Sequence, residues 1–231
     1  MVHNSASERM LRAIIFDLDG VLLESTEAKT LAFRKLFADY PQRLSEIIAY
    51  HESHGGVSRF EKFRHIYAQI LREPLSAERF AWLCTRYSEL ALSTVLNVPL
   101  VPGAAEFLRE FHRHMLLFVV SGTPTGELQD ILDRRGLMPY VQKAFGSPGS
   151  KPEIVAMILS EWSLACSDVL LVGDSDTDLD AAEQNGIPFI GRVHPGSPDS
   201  WRERSDLTTI KDLAELRARV DISTVSRKSV R

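Results

Sequence analysis

Two carboxylates, Asp17 and Asp19, follow the apolar run 13–16, and Gly20 comes directly after them. The apolar run predicts a short buried strand, and the glycine predicts a break in the chain. Carboxylates beside a core are costly to keep ionised unless a cation compensates them, and Mg²⁺ prefers such oxygen ligands. The spacing also suits one carboxylate as a nucleophile and the other as a proton carrier. The alternative interpretation is a pair of solvated loop aspartates that cap a following helix.

Donors for phosphate oxygens follow the apolar run 116–120, in the segment Ser121, Gly122 and Thr123. The serine offers a hydroxyl group, and the next two amides are predicted to lie at a helix N-terminus, where phosphate oxygens bind. Lys151 would supply a point charge to a phosphoryl group during transfer. Taken singly, the three-residue segment is typical of a turn with a helix cap, and the lysine is typical of a solvated surface.

Two further carboxylates, Asp174 and Asp178, follow the apolar run 169–172. Asp174 can complete a Mg²⁺ site with Asp17. Asp178 comes one helical turn later and can hold Asp174 or Lys151 in place by a polar contact from outside the set of metal ligands. In an open α/β sheet, ligands bind beyond the carboxyl ends of the strands, so all these groups should meet in one crevice. Their joint placement predicts a phosphoryl-transfer site with a metal, a nucleophile and a proton carrier.

The elements that position these groups are strands and helices in alternation. Beyond a break at 99–103, the predicted strands are 116–120, 169–172 and 187–190, and the predicted helices are 126–135, 177–185 and 211–220. Continuous apolar strands separated by helices indicate a parallel sheet that is covered on both faces. Together with the strand at 13–16, this pattern predicts an α/β fold.

The stretch between the first strand and residue 99 has a different pattern. Apolar residues recur at helical spacing in three segments that begin near Ala28, Phe60 and Phe80, and Ser76 is a candidate N-cap for the third. No strand is predicted between residues 24 and 97. The pattern indicates an all-helical block that is inserted after the first strand of the sheet domain.

Composition excludes several classes of protein. The 231 residues carry a formal net charge of −4, which disfavours nucleic acid and anionic membranes as partners. No apolar run approaches the roughly 18 residues of a membrane helix, and residues 1–8 lack the apolar segment of a signal peptide. Cys84 and Cys166 are predicted to be buried, reduced thiols, as in a cytoplasmic protein. The seven histidines, His51 and His54 among them, show no metal-type cluster and are predicted to lie on the surface.

Four segments resemble, in order, the four motifs of the haloacid dehalogenase superfamily of phosphohydrolases: 16–21, 119–123, Lys151 and 172–178. The resemblance covers nearly the whole chain. It implies a Rossmann-like, doubly wound parallel core made of residues 10–23 and 99–222, with an α-helical cap domain made of residues 24–98. The cap is similar to that of the phosphoglycolate phosphatase and β-phosphoglucomutase group. Residues 1–9 and 223–231 are expected to be flexible tails.

The resemblance also implies roles for individual residues. Asp17 would be the nucleophile that forms an aspartyl-phosphate, and Asp19 would be the general acid and base. Ser121 and Lys151 would bind the phosphoryl group. Mg²⁺ would be held by Asp17, the backbone carbonyl of Asp19, and Asp174.

A break in the helical block, 54–59, contains two glycines, which permit unusual backbone angles. In the β-phosphoglucomutase group a similar segment presents an arginine to the distal part of the substrate, and a guanidinium suits a carboxylate or a second phosphate. Gly56 and Arg59 are therefore expected to influence specificity, unless Arg59 is an ordinary surface arginine in a loop. Glu24 and Gly122 stand where the family commonly has Asp and Asn.

The leading hypothesis is a Mg²⁺-dependent phosphatase of a small phosphorylated metabolite, phosphoglycolate-like or a sugar phosphate. A β-phosphoglucomutase-like phosphomutase shares all the motifs and is the alternative. A dehalogenase would not need Asp19, and a phosphonate hydrolase would need a cap lysine, for which none of Lys29, Lys35 and Lys62 stands out. A non-enzymatic phospho-acceptor signalling domain is disfavoured, because the helical insertion has no place in that fold.

Overall fold

The computed structural model describes residues 11–194, Ser197, Trp201 and 205–220. The segments expected to be flexible tails, 1–9 and 223–231, lie outside these described residues. Across the described ranges, no helix combines the length and the apolar character that a membrane-crossing helix needs.

A parallel sheet forms the centre of the core. Its strands in the described part of the chain are β1 (Ala13–Phe16), β2 (Leu116–Pro124), β3 (Lys143–Ser147), β4 (Val169–Gly173), β5 (Phe189–Arg192) and β6 (Thr209–Ile210). They lie in the order β3-β2-β1-β4-β5-β6, and every neighbouring pair is parallel. The chain moves outward from β1 to β3 and then returns to β4 on the other side of β1. The strand order therefore reverses beside β1, where ligands bind in such sheets.

Helices cover the sheet and also form the inserted block. The helices of the core are α5 (Ala104–Phe111), α6 (Thr125–Arg134), α7 (Lys151–Glu161), α8 (Asp176–Asn185) and α9 (Leu213–Arg219). The helices between β1 and Pro99, which we call the cap, are α1 (Thr26–Leu36), α2 (Leu44–Ser53), α3 (Arg59–His65), a π-helical turn (Ile66–Leu71) and α4 (Ala77–Val95). The predicted α/β fold with an inserted helical block is confirmed.

Alternation along β1 explains why the sheet is buried on both faces. Ile14 and Phe16 pack into an apolar cluster with α5, α6 and α9, whereas Ala13 and Ile15 pack into a second cluster with α7 and α8. All four side chains are fully buried. Successive side chains of a strand point to opposite faces, so a strand covered on both sides must be apolar at every position.

The cap has an aromatic core of its own. The Phe33 ring lies 5.7 Å from the Phe63 ring and 4.9 Å from the Tyr87 ring, and Phe37 completes the cluster. These residues come from α1, α3 and α4, which the spacing of apolar residues predicts as helices. Ser76 accepts a hydrogen bond from the amide of Arg79, so its prediction as an N-cap is confirmed.

The two connections between the core and the cap run side by side. Leu23 and Leu100 form an isolated antiparallel bridge, and the Glu24 amide donates to the Pro99 carbonyl at 3.0 Å. Arg192, at the end of β5, donates to both oxygens of the Glu24 carboxylate at 2.6 and 3.0 Å, and to the Gly20 carbonyl at 2.7 Å. The sheet therefore holds the point at which the chain enters the cap.

The sequence pattern does not predict four elements: α2, α7, β3 and β6. β3 contains a charged residue and a glycine among its five residues, and β6 has only two residues, so neither shows a continuous apolar run. Their positions depend on neighbours in the sheet, which a local pattern does not contain.

Some predicted exposures are wrong. Cys166 is exposed in the 3₁₀ turn before β4, and Cys84 is half-buried on α4, so they are not a pair of buried thiols. His51 and His194 are buried rather than on the surface. The His51 ring stacks on Phe33 at 3.9 Å between ring centres, and the His194 ring contacts Asp174.

Phe33→Ala should strongly destabilise the protein, because Phe33 is 1% exposed and packs against several other rings of the cap core. We expect the free energy of unfolding to fall by about 3–5 kcal/mol. Leu31→Ala, on the same helix, is the control, since Leu31 is 46% exposed and its loss should cost no more than about 0.5 kcal/mol. Urea denaturation measures both, and equally small effects would contradict the described packing.

Candidate active site

Asp17 is held by the backbone at the carboxyl end of β1. Its amide donates to the Val172 carbonyl of β4 at 3.0 Å, and its Oδ1 accepts from the Leu18 amide at 2.7 Å. Its other oxygen, Oδ2, lies 2.9 Å from Nζ of Lys151. With 3% of its surface exposed, Asp17 is buried at the point where the strand order reverses.

Lys151 bridges two carboxylates. It is the first residue of α7, whose start is fixed by a capping box in which Ser150 and Glu153 satisfy each other's amides. Its Nζ donates to Asp17 at 2.9 Å and to Asp178 at 2.6 Å. Although burial opposes its charge, the two carboxylates raise the pKa of Lys151 above its usual range. The two carboxylates therefore favour the charged form of the lysine inside the site.

Asp17, Asp174 and Asp178 form a cluster of buried carboxylates whose oxygens lie within 4.8 Å of one another. Burial raises the pKa of Asp17 to about 7, despite the opposing effect of Lys151, and burial also raises the pKa of Asp174. The His194 ring contacts Oδ2 of Asp174 at 2.9 Å. Three carboxylates face one lysine, so the donor set and its excess negative charge fit a hard divalent cation.

Gly20 permits the approach of Asp174 to the first strand. Its φ of +71° lies in the left-handed region, and a Cβ atom there would come within 1.9 Å of the Asp174 carboxylate. A larger residue would therefore both strain the backbone and displace a member of the carboxylate cluster.

Asp19 faces the cap and is bound there by Lys29 of α1. Its Oδ2 pairs with the Lys29 ammonium, and its Oδ1 accepts from the Ser25 hydroxyl at 2.6 Å. Although burial acts in the opposite direction, Lys29 holds the pKa of Asp19 below its ordinary value. Lys29 also donates to the Thr123 hydroxyl of β2 at 2.7 Å. Asp19 is thus an ionised carboxylate at the boundary between the core and the cap.

The segment Ser121, Gly122 and Thr123 lies at the same edge of the sheet, but within β2 rather than at a helix N-terminus. β2 extends to Pro124 and α6 begins at Thr125. The prediction that the Gly122 and Thr123 amides lie at a helix N-terminus is therefore wrong. The Thr123 amide is already bound by the Ser121 hydroxyl at 3.1 Å.

A loop of the cap lies directly over this edge. A Cβ atom at Gly122 would come within 2.4 Å of the Gly56 carbonyl, and Gly56 itself has a φ of +72°. The Thr177 hydroxyl donates to the Gly55 carbonyl at 3.4 Å. Core and cap together enclose a cavity of about 1040 Å³ that is lined by Asp17 and Asp19 among others.

Arg59, predicted to face a substrate, has a partner within the protein. Its guanidinium makes two hydrogen bonds with the Glu127 carboxylate of α6, at 2.6 and 2.9 Å, and lies over the Tyr87 ring. Ser88 of α4 also donates to Glu127 at 2.7 Å. Arg59 is 4% exposed, so it is not an ordinary surface residue, and its pair with Glu127 joins the cap to the core.

Sequence reasoning missed Lys29, Glu127 and His194. His194 carried a usable signal, because it follows β5 by two residues and so comes from the same edge of the sheet as the aspartates. Lys29 and Glu127 carried no comparable signal, since their partners, Asp19 and Arg59, are reached only when the cap docks on the core.

A family profile described as haloacid dehalogenase-like hydrolase matches residues 11–186, which is most of the chain. The chain belongs to this family. The predicted resemblance to haloacid dehalogenase-like hydrolases is therefore confirmed, and so is the prediction of a hydrolytic enzyme.

Curated haloacid dehalogenase-like relatives of similar length are named as phosphatases. A phosphoglycolate phosphatase from Aquifex aeolicus is 27% identical, with 87% of this chain and 97% of the relative covered. A phosphorylated carbohydrates phosphatase from Thermotoga maritima is 28% identical, covering 80% of this chain and 86% of the relative. The predicted enzyme class, a phosphatase of this family, agrees with these relatives.

Solved structures of haloacid dehalogenase-like proteins share the fold. A protein described as a predicted phosphoglycolate phosphatase from Haemophilus somnus matches with a TM-score of 0.73 and 19% identity, over 94% of this chain and 100% of that one. CbbY from Rhodobacter sphaeroides, solved in complex with phosphate, matches with a TM-score of 0.69 and 21% identity, over 90% and 96% of the two chains.

Lys151→Met should destabilise the folded protein, because it leaves Asp17 and Asp178 buried without their cation. We expect a loss of about 3–5 kcal/mol in the free energy of unfolding at about pH 8. A carboxyl whose pKa is higher in the folded than in the unfolded state binds more protons when folded, so stability falls as the pH rises through that pKa. The loss should accordingly be smaller at about pH 5, where both carboxyls can be neutral. Denaturation at the two pH values measures this, with the exposed Lys143→Met as the control.

Proposed function

We propose that this protein is a phosphatase of small phosphomonoesters in which Asp17 is the nucleophile. The observation that carries the proposal is the position of Asp17, buried at the strand-order reversal between Lys151 and the Asp174 carboxylate. A carboxylate held in one orientation by Leu18 and Lys151 is prepared for attack on phosphorus from a fixed direction. The curated relatives named as phosphatases support the same activity.

Asp17 would attack phosphorus in line with the leaving alcohol and form an aspartyl-phosphate. The P–O bond to the alcohol breaks as the new bond to a carboxylate oxygen of Asp17 forms. Lys151 would balance negative charge on the phosphoryl oxygens, and the Ser121 hydroxyl, with Gly122 and Thr123 beside it, would orient them. Water would then attack phosphorus, release inorganic phosphate and regenerate the Asp17 carboxylate.

Asp19 would move the proton in both steps. It would give a proton to the leaving alcohol and later accept one from the attacking water. In the structure Asp19 is paired with Lys29 and is ionised, which is the state required for accepting a proton. To act first as an acid, it must take up a proton as the substrate binds, and the Lys29 contact would have to loosen at that stage.

We propose Mg²⁺ as the cofactor. Asp17, Asp174 and the backbone carbonyl of Asp19 would hold the ion. Asp178, which accepts a hydrogen bond from Lys151, would lie next to these ligands without binding the ion. When bound, the ion would neutralise charge on the phosphoryl oxygens. His194, in contact with Asp174, would orient that carboxylate, as groups behind metal ligands commonly do.

The proposed substrate is a small phosphorylated metabolite with further polar or anionic groups. Relatives named for phosphoglycolate and for phosphorylated carbohydrates support this class. The influence of Gly56 and Arg59 on specificity stays a prediction. A substrate anion would have to compete with Glu127 for the Arg59 guanidinium.

Asp17→Asn should abolish release of inorganic phosphate from a panel of phosphomonoesters in the presence of Mg²⁺, because the amide is a poor nucleophile. Asp19→Asn should lower kcat by about 100- to 10,000-fold, the range for loss of a general acid and base. Asp133→Asn, an exposed aspartate on α6, is the matched control and should behave as the wild type.

Turnover by Asp17→Asn at the wild-type rate would refute the proposal. Conversion of a sugar 1-phosphate to its 6-phosphate without phosphate release would instead identify a phosphomutase, which uses the same nucleophile.

Binding of Mg²⁺ should weaken as the pH falls below about 7, because Asp17 then holds a proton that must leave when the ion binds. We expect a loss of up to about tenfold in affinity per pH unit below that value, and little change above it. Calorimetry at about pH 6 in buffers with different heats of ionisation measures both the affinity and the proton released. An affinity that is the same at about pH 5.5 and about pH 8.5 would contradict this, and Asp174→Asn should weaken binding throughout.

A further inference from the structure

Lys62 is a buried cation on the cap side of the cavity. It belongs to α3, is 4% exposed, and its side chain contributes to the cavity wall together with His51 and Phe33. Its Nζ donates to the His51 carbonyl at 3.0 Å and contacts the His51 ring nitrogen Nδ1 at 3.2 Å. The proposed mechanism gives this lysine no task.

His51 contacts Lys62 as a neutral ring. Burial, together with the nearby Lys62 and Lys29, lowers the pKa of His51 to about 2. Nδ1 of a neutral imidazole accepts a hydrogen bond when the proton is on Nε2, and an ammonium can only donate. The ring is also fixed by stacking on Phe33. His51 therefore orients the Lys62 ammonium without neutralising its charge.

The other cations that line or border the cavity are matched by carboxylates. Lys29 pairs with Asp19, Lys151 with Asp17, and Arg59 with Glu127. For Lys62, in contrast, no carboxylate among the described residues lies within 4 Å of Nζ. A buried ammonium without a counter-ion is costly, and an anion that enters the cavity would remove that cost.

We propose that Lys62 binds a second anionic group of the substrate, a carboxylate or a phosphate, while Asp17 receives the reacting phosphoryl group. This proposal rests on the proposed phosphatase function and assigns its substrate class: phosphomonoesters with a distal anion. Lys62 is then a specificity-determining residue, and His51 is its positioning residue.

Position and electrostatics both support this assignment. Lys62 and Asp17 line one cavity but come from opposite sides of it, the cap and the end of β1. Burial and the neighbouring Lys29 lower the pKa of Lys62 to about 7, and a bound anion would favour its charged form. An ammonium that meets a carboxylate or phosphate in a desolvated site forms a charge-assisted hydrogen bond, which is among the stronger polar contacts.

The test compares two matched pairs of esters. Phosphoglycolate and hydroxyethyl phosphate differ in a distal carboxylate, whereas propanediol bisphosphate and hydroxypropyl phosphate differ in a distal phosphate. The wild type should prefer the anionic member of at least one pair, which identifies the distal group. In Lys62→Met the ratio of kcat/KM for that anionic ester to that for its neutral partner should fall about 10- to 100-fold, mainly through KM.

Stability separates this role from a structural one. Met has a length similar to that of Lys and removes a buried charge, so the melting temperature of Lys62→Met should stay the same or rise. Lys62→Gln repeats the measurement of the kcat/KM ratio between anionic and neutral esters with a polar, uncharged side chain. Lys35→Met, an exposed lysine of the same cap, should leave the ratio unchanged.

An unchanged ratio in both Lys62 variants, or a wild type that hydrolyses the esters without preference for a distal anion, would overturn the proposal and leave the phosphatase function standing. If the wild type hydrolyses none of the esters, the phosphatase function fails. Calorimetric binding of the same four esters to the wild type and to Lys62→Met then decides the role of Lys62: tighter binding of an anionic ester that is lost in the variant supports it, and equal binding refutes it.

Discussion

The contact on which the site depends is the buried ammonium of Lys151 between Asp17 and Asp178. Without it, carboxylates brought together by two adjacent parallel strands would repel one another in a place that water reaches poorly. The contact also links distant parts of the chain, because Asp17 follows β1, Asp178 lies in α8 and the lysine begins α7. The carboxylates still outnumber the lysine with Lys151 in place, which is why this edge of the sheet suits a divalent cation.

The cap and the core meet through charges as well as through backbone contact. Lys29 extends from the cap to Asp19, and Arg59 extends to Glu127, so these two cations of the cap are each paired with a carboxylate of the core. Between them, a Cβ atom at Gly122 would come within 2.4 Å of the Gly56 carbonyl, and a Cβ atom at Gly56 would come within 1.9 Å of the Thr177 hydroxyl. At Gly56 the cap therefore approaches the core through main chain, whereas Lys29, His51 and Lys62 line the cavity with side chains.

The sequence contains much of this arrangement, for a physical reason. Residues that follow apolar strands must meet at one edge of a parallel sheet, so the meeting of Asp17 and Asp174 follows from order and spacing alone. Lys151 comes after β3, which the pattern does not predict. The partner of Arg59 does not follow, because it depends on how one domain docks on another, and no local pattern records that. The buried state of Lys62 was equally hidden: a lysine on a predicted helix is usually solvated, and only the tertiary packing around His51 shows otherwise.

The tie between Arg192 and Glu24 has a mechanical consequence. Two connecting segments attach the cap to the core, and they lie side by side at Leu23 and Leu100. These two segments form a natural hinge. Arg192 holds one side of the hinge to β5, and the same short segment continues to His194, which contacts Asp174. A rotation of the cap would pull on the segment that orients this carboxylate. Any rotation of the cap about this hinge would thereby alter the geometry of the Asp174 carboxylate through residues 192–194.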